Sequence, residues 1–172
     1  MRPVATLIAS MVLALPVRAV AQSHDGHAQA PAAREDSAFG AMQARGKRAM
    51  GVDQYTSIHQ FDDLEDGGRI ELQRDRDDAA GIAAIRTHIR AIARDFAAGD
   101  FSTPATVHLD AVPGSATMRA RRSAIRYEPI DLPRGAALRI RSGDRDAIEA
   151  IHRFLAYQRQ EHHAAGASVH AH

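Results

Sequence analysis

The chain has 172 residues, with 22 Lys and Arg, 21 Asp and Glu, ten His and no Cys or Trp. Its formal net charge of +1 argues against a nucleic-acid-binding or polybasic membrane surface. The lack of cysteine excludes disulfides, iron–sulfur clusters, thiol catalysis and a lipid-modified cysteine. The histidine content is therefore the main chemical lead.

Residues 1–21 have the pattern of a bacterial Sec signal peptide. Arg2 precedes an apolar run of about 14 residues, and Ala19-Val20-Ala21 forms a small-x-small cleavage site. The run is shorter than the roughly 20 apolar residues that a membrane-spanning helix needs. We therefore expect cleavage after Ala21, a periplasmic or secreted protein, and no stable membrane insertion after cleavage.

The composition of the rest divides it into a domain with two polar ends. Residues 22–34 are rich in Ser, His, Ala, Gln and Pro without apolar periodicity, which predicts a disordered linker. Residues 35–163 have the length and patterning of one α+β domain. Residues 164–172 predict a disordered, histidine-containing tail.

The first half of the domain has the pattern of a β-hairpin followed by an amphipathic helix. Alternating side chains occupy residues 58–61 and 69–73, on either side of the turn signal Asp66-Gly67-Gly68. Asp78 is typical of a helix N-cap and Gly99 of a helix end. Between them, apolar residues recur at intervals of three and four, at Ile82, Ile85, Ile89, Ile92 and Phe96.

The second half repeats this plan after a connection rich in Pro, Gly, Ser and Thr at residues 99–114, of a kind that is often functional or loose. Residues 125–127 and 137–141 alternate, and Asp144 opens a helix with one apolar stripe. Neither ββα unit can bury its apolar surfaces alone. The sequence thus predicts an α+β fold: a ββα-ββα pseudo-repeat with a four-stranded antiparallel sheet and two helices packed on one face.

No enzyme motif is present, because the sequence lacks the nucleophile elbow, the P-loop, the H-E-x-x-H pair and the dinucleotide-binding glycines. Asp62, Asp63 and Asp66 surround the first turn and are typical of turn chemistry. A histidine acting as general base is the one catalytic alternative. The sequence does not decide whether the protein is an enzyme, but the lack of such motifs argues against it.

Histidine and methionine together point to a metal ion. Imidazole and thioether ligands suit copper, while zinc would accept histidine with a carboxylate. The candidate metal ligands are His59, His88, His108, Met118 and His152.

Several of these residues also have a structural interpretation. His88 and His152 flank the apolar stripes of their helices, where an imidazole can hydrogen-bond a strand carbonyl. His59 lies opposite Ile58 on its strand and could face either solvent or the helices. The stretch from Glu161 to the C-terminus, with His162 and His163, could bind metals loosely or simply be a frayed end.

Four segments resemble a family of small exported bacterial proteins of unknown function: Met50 to Phe61, Ile85 to Ile89, Gly99 to Met118 and Ala150 to Gln158. The resemblance runs from about residue 45 to residue 163. It adds three candidate site residues to the set above: Met50, Gln54 and Thr56.

Some members of that family carry the label aspartate carbamoyltransferase. That activity does not fit this chain, which is too short for two α/β domains and lacks the Ser-Thr-Arg-Thr phosphate-binding string. Two hypotheses follow. One is an exported metal-binding protein, with copper as the expected ion; the other is a non-catalytic ligand-binding or protein-interaction module with structural histidines, for which a homodimer stays open.

Overall fold

The computed structural model describes residues 31–51 and 54–166, without the side chains of residues 31–36, Met50 and Gln54. The predicted signal peptide, most of the predicted linker, and His24, His27, His170 and His172 lie outside this part. The helices are α1 (Pro31–Met50), α2 (Ala79–Ala98), α3 (Ser102–His108), α4 (Ser115–Ala120) and α5 (Arg145–Glu161). The strands are β1 (Ser57–Leu64), β2 (Gly67–Arg74), β3 (Ile125–Leu132) and β4 (Gly135–Ser142).

The predicted α+β class is confirmed, because the four strands form one antiparallel sheet with helices packed on it. The strand order is β1-β2-β4-β3, so each hairpin contributes one inner and one edge strand. The repeat of the two ββα units stays a prediction, although the elements occur in the predicted order. The two predicted helix starts are also observed. Asp78 accepts a hydrogen bond from Gly81 N at 3.1 Å, and Asp144 accepts one from Ala147 N at 2.9 Å.

The two long helices cross over to the hairpin that did not precede them. Helix α2 packs mainly on β3 and β4, whereas α5 packs mainly on β1 and β2. Gly68 permits the close approach of α5, because a Cβ at this position would overlap Leu155 Cδ1 and lie 3.2 Å from Ile151 Cγ2. Both helices and the inner sheet face therefore share one apolar core.

Polar contacts fix α5 against the first hairpin. Arg159 forms a bidentate, buried ion pair with Asp63, at 3.0 and 2.9 Å, and also donates to Phe61 O at 2.8 Å. His152 Nε2 lies 2.9 Å from both Leu64 O and Gly67 O. Since two carbonyls accept there, Nε2 must carry the proton. These contacts set the position of the helix end that carries His162.

The connection between the two halves is more ordered than its composition suggested. It forms α3 and α4, and Phe101 and Val112 are buried in the core. Gly114 has φ 87° and lies so close to α5 that a Cβ would overlap Ala150 O. Apolar anchors and a close helix approach thus hold a segment whose local sequence favours turns.

Both ends of the predicted domain differ slightly from its expected limits. Helix α1 begins at Pro31, inside the segment predicted as linker. At the other end, Ala165 accepts a hydrogen bond from Phe61 N at 2.9 Å and pairs in parallel with edge strand β1. Within residues 31–51 and 54–166, no helix combines the length and apolar character that crossing a bilayer would require.

Candidate functional site

Four histidines from separate parts of the fold line one cavity of about 80 Å³. We call it the histidine cavity, and its histidines are His59 of β1, His88 of α2, His108 at the end of α3 and His162 just after α5. Apolar side chains make most of the remaining lining, among them Phe61, Leu72, Ile92, Phe96 and Phe154.

The backbone pattern explains how His59 and His108 reach this position. His59 shares the inner face of β1 with Phe61, while Ile58 is 49% exposed on the outer face. Helix α3 ends at His108 because Leu109 takes up a left-handed conformation with φ 59°. The strand alternation and this helix end together turn both imidazoles toward α5.

Helix α1 covers the cavity from one side. Gly46 and Ala49 belong to its lining, and the Nε of Arg45 donates to Val107 O at 2.6 Å, which ties α1 to α3. Helix α1 therefore contributes part of the cavity wall.

The rings of His59, His108 and His162 are close neighbours. Ring centroids lie 5.8 Å apart for His59 and His162, and 5.1 Å apart for His108 and His162. His108 Nε2 also lies 3.2 Å from Oε1 of the buried Gln158, and its ring meets Tyr157 edge-on at 5.1 Å. His162 thus sits between the other two imidazoles.

Two ring nitrogens of this cluster are buried without a hydrogen-bond partner among the described residues. They are His59 Nε2 and His108 Nδ1. Leaving a buried polar atom unpaired costs about 1–3 kcal/mol. Such atoms are rare in folded proteins, and two of them on one small cavity mark it as a candidate site.

Burial keeps these imidazoles neutral near pH 7. It is the main cause that lowers the pKa of His59 to about 4 and that of His162 to about 3, with smaller effects from His88 on His59 and from His59 on His162. Burial also lowers the pKa of His88 and of His108. Neutral imidazole is the form that binds metal ions.

The structure brings together three of the five predicted metal ligands, His59, His88 and His108. The other two, His152 and Met118, do not line the cavity: His152 bonds the β1–β2 turn and Met118 is fully buried in the core. For His152, this contact is the structural role that was considered beside metal ligation.

The three remaining candidate site residues, Met50, Gln54 and Thr56, are not among the described residues that line the cavity. Thr56 Oγ1 accepts a hydrogen bond from Arg74 Nη1 at 2.6 Å, next to the start of α2. The side chains of Met50 and Gln54 lie outside the described residues.

His162 and Gln158 are cavity residues that were not among the predicted metal ligands. His162 was assigned to a histidine-rich end, yet it is only 8% exposed. Phe154, Gln158 and His162 follow one another at intervals of four residues, so the inner stripe of α5 continues to His162. That spacing was the available signal.

As they stand, no three His, Asp or Glu side chains within residues 31–51 and 54–166 are arranged to hold a metal ion. Comparison of the chain with protein-family models, with curated proteins and with solved structures found no match.

Proposed function

We propose that this chain is an exported protein that binds one transition metal ion, with copper as the expected ion, in the histidine cavity. The proposed ligands are His59, His108 and His162, with His88 on the same lining. The observation that carries the proposal is the convergence of buried, neutral imidazoles from separate elements. Export rests on the signal-peptide pattern alone.

The spacing of the rings supports this assignment. A metal–nitrogen bond of about 2.0–2.1 Å puts two imidazole centroids on one tetrahedral or trigonal ion roughly 5–6 Å apart. The observed separations of 5.8 and 5.1 Å fall in that range. The positions of His59 and His108 relative to His162 are therefore suitable, while the orientations of the rings are not those of ligands.

Metal binding must then include a rotation of the histidine side chains. Of the groups involved, His59 Nε2 and His108 Nδ1 have no hydrogen bond to lose, and rotation of the His108 ring gives up only the contact of its Nε2 with Gln158. A bound ion would satisfy both unpaired nitrogens. This gain offsets part of the cost of the rotation.

The apolar lining favours a second candidate, a small neutral molecule bound in the same cavity. A volume of about 80 Å³ limits such a ligand to a few heavy atoms. It would accept or donate hydrogen bonds at His59 and His108. This alternative corresponds to the non-catalytic ligand-binding module considered from the sequence.

Metal titration of the full chain tests the proposal. A background variant removes the histidines outside the described residues, with Ala at His24, His27, His170 and His172. We expect one Cu(I) per chain in competition with bicinchoninate, at a dissociation constant below micromolar. Asn substitutions of His59, His108 or His162 should each weaken binding by at least about tenfold.

His152→Asn is the matched control, because it removes a half-buried imidazole of α5 that does not line the cavity. It should leave the affinity within about twofold of the background variant. The proposal fails if the background variant binds neither copper nor zinc more tightly than micromolar. It fails equally if removing all three proposed ligands leaves the affinity unchanged.

A further inference from the structure

We propose that the histidine cavity selects a monovalent ion, so that copper is bound there as Cu(I) in preference to Cu(II) or Zn(II). The inference rests on the proposed function and adds the charge state of the ion. It follows from the electrostatics and the walls of the cavity.

The described lining of the cavity contains imidazoles, apolar groups, Thr103 and Gln158, and no Asp, Glu, Lys or Arg. Two opposite charges, those of Glu161 and Arg45, act on His108 from a second, outer cleft that shares His108 as a wall. The carboxylate of Asp95 acts on His88, also from outside this lining. The ion would therefore meet no compensating carboxylate within the cavity.

Charge decides between ions in such a site. The cost of moving an ion from water into a low-dielectric interior grows with the square of its charge, so a divalent ion loses about four times as much as a monovalent one of equal size. Zinc and calcium sites usually offset this loss with carboxylate, thiolate or retained water. This cavity offers only neutral ligands and apolar walls.

Coordination number points in the same direction. Zn(II) is almost always four-coordinate in structural sites, and Cu(II) prefers a tetragonal arrangement of nitrogen and oxygen. Phe61, Leu72, Ile92 and Phe96 surround the imidazoles and supply no further ligand. With His59, His108 and His162 as its ligands, the ion has three imidazoles, which leaves either divalent ion without the fourth ligand that it prefers.

Gln158→Glu tests this reasoning directly. Gln158 is 5% exposed and its Oε1 lies 3.2 Å from His108 Nε2, so the nearly isosteric substitution puts a carboxylate on the cavity wall. Gln160→Glu is the matched control. It adds the same charge two residues away, on an exposed side chain of the outer cleft.

Dissociation constants for Cu(I), Cu(II) and Zn(II) are measured by chelator competition on the full-length background variant, with circular dichroism to verify folding. We expect the unmodified cavity to bind Cu(I) more tightly than Zn(II), and Gln158→Glu to reduce that preference by at least about tenfold. Gln160→Glu should change it by less than about threefold, because its charge is screened by solvent.

Two results would overturn the charge selection while leaving the proposed function intact. One is Zn(II) or Cu(II) binding as tightly as Cu(I) at the histidine cavity. The other is a folded Gln158→Glu variant with an unchanged ratio of the two constants. Binding of no metal at all would overturn the proposed function and this inference with it.

Discussion

Lowering the pH from 7 to 5 should reduce the free energy of unfolding by about 4 kcal/mol, because two buried histidines resist protonation in the folded state. Burial is the main cause that lowers the pKa of His59 to about 4 and that of His162 to about 3. In the unfolded chain both return to the ordinary value of about 6.5. Below that value the unfolded state binds more protons, so stability is lost as the pH falls.

The magnitude follows from the distance between pH 5 and the unfolded pKa. That distance is about 1.5 units, and each unit corresponds to about 1.4 kcal/mol, which gives about 2 kcal/mol for each histidine. The lowered pKa values of His88 and His108 act in the same direction. The loss should begin near pH 6.5 and continue to about pH 4 for His59 and pH 3 for His162.

Urea unfolding of the metal-free full chain, followed by far-ultraviolet circular dichroism at pH 7, 6 and 5, measures this effect. Most carboxyl groups stay ionised in that window, so histidines dominate the change. His162→Gln should reduce the loss by about 2 kcal/mol. His163→Gln, which changes the exposed neighbour, should retain nearly all of it. A stability that stays constant from pH 7 to 5, or equal slopes for both variants, would refute the reasoning.

Three further variants test the contacts that hold α5 in place. Arg159→Met leaves the buried Asp63 carboxylate without its partner and should cost about 3–5 kcal/mol in urea unfolding, whereas Asp63→Asn combined with it should recover part of the loss. Gly68→Ala should cost about 1–3 kcal/mol by overpacking, and Leu155→Ala in the same chain should be less harmful than in the parent. His152→Gln should lower stability by about 1–3 kcal/mol, since carbonyls of the β1–β2 turn lose their donor, yet leave copper affinity unchanged. Additive losses in the first two pairs, or weakened copper binding in the third variant, would contradict these assignments.

Local sequence patterns were sufficient to predict the strands of the sheet and the two long helices. Alternation located the strands, and Asp78, Gly99 and Asp144 marked helix ends where the structure has them. The same alternation could not decide which face of β1 is buried. His59 and Ile58 compete for that face, and tertiary packing places the imidazole inside because Phe61 and Leu72 lie on the same side.

Local sequence patterns could not predict which residues form the candidate site, because that depends on tertiary packing. His59, His88 and His108 are far apart in sequence, and their shared cavity arises from the crossing of α2 and α5 over the sheet. His162 was assigned to a polar end because small residues follow it. Its burial results from the continuing stripe of α5 and from Ala165, which joins β1.

Each long helix packs on the hairpin of the other half of the chain, and this arrangement has a consequence for folding. A half of the chain that folded alone would leave its hairpin uncovered, since the helix that buries it belongs to the other half. We therefore expect no stable intermediate made of one half, and we expect a chain cut within residues 109–113 to stay associated as two fragments. The histidine cavity draws its walls from both halves, so it should form and disappear with the whole domain in a single cooperative step.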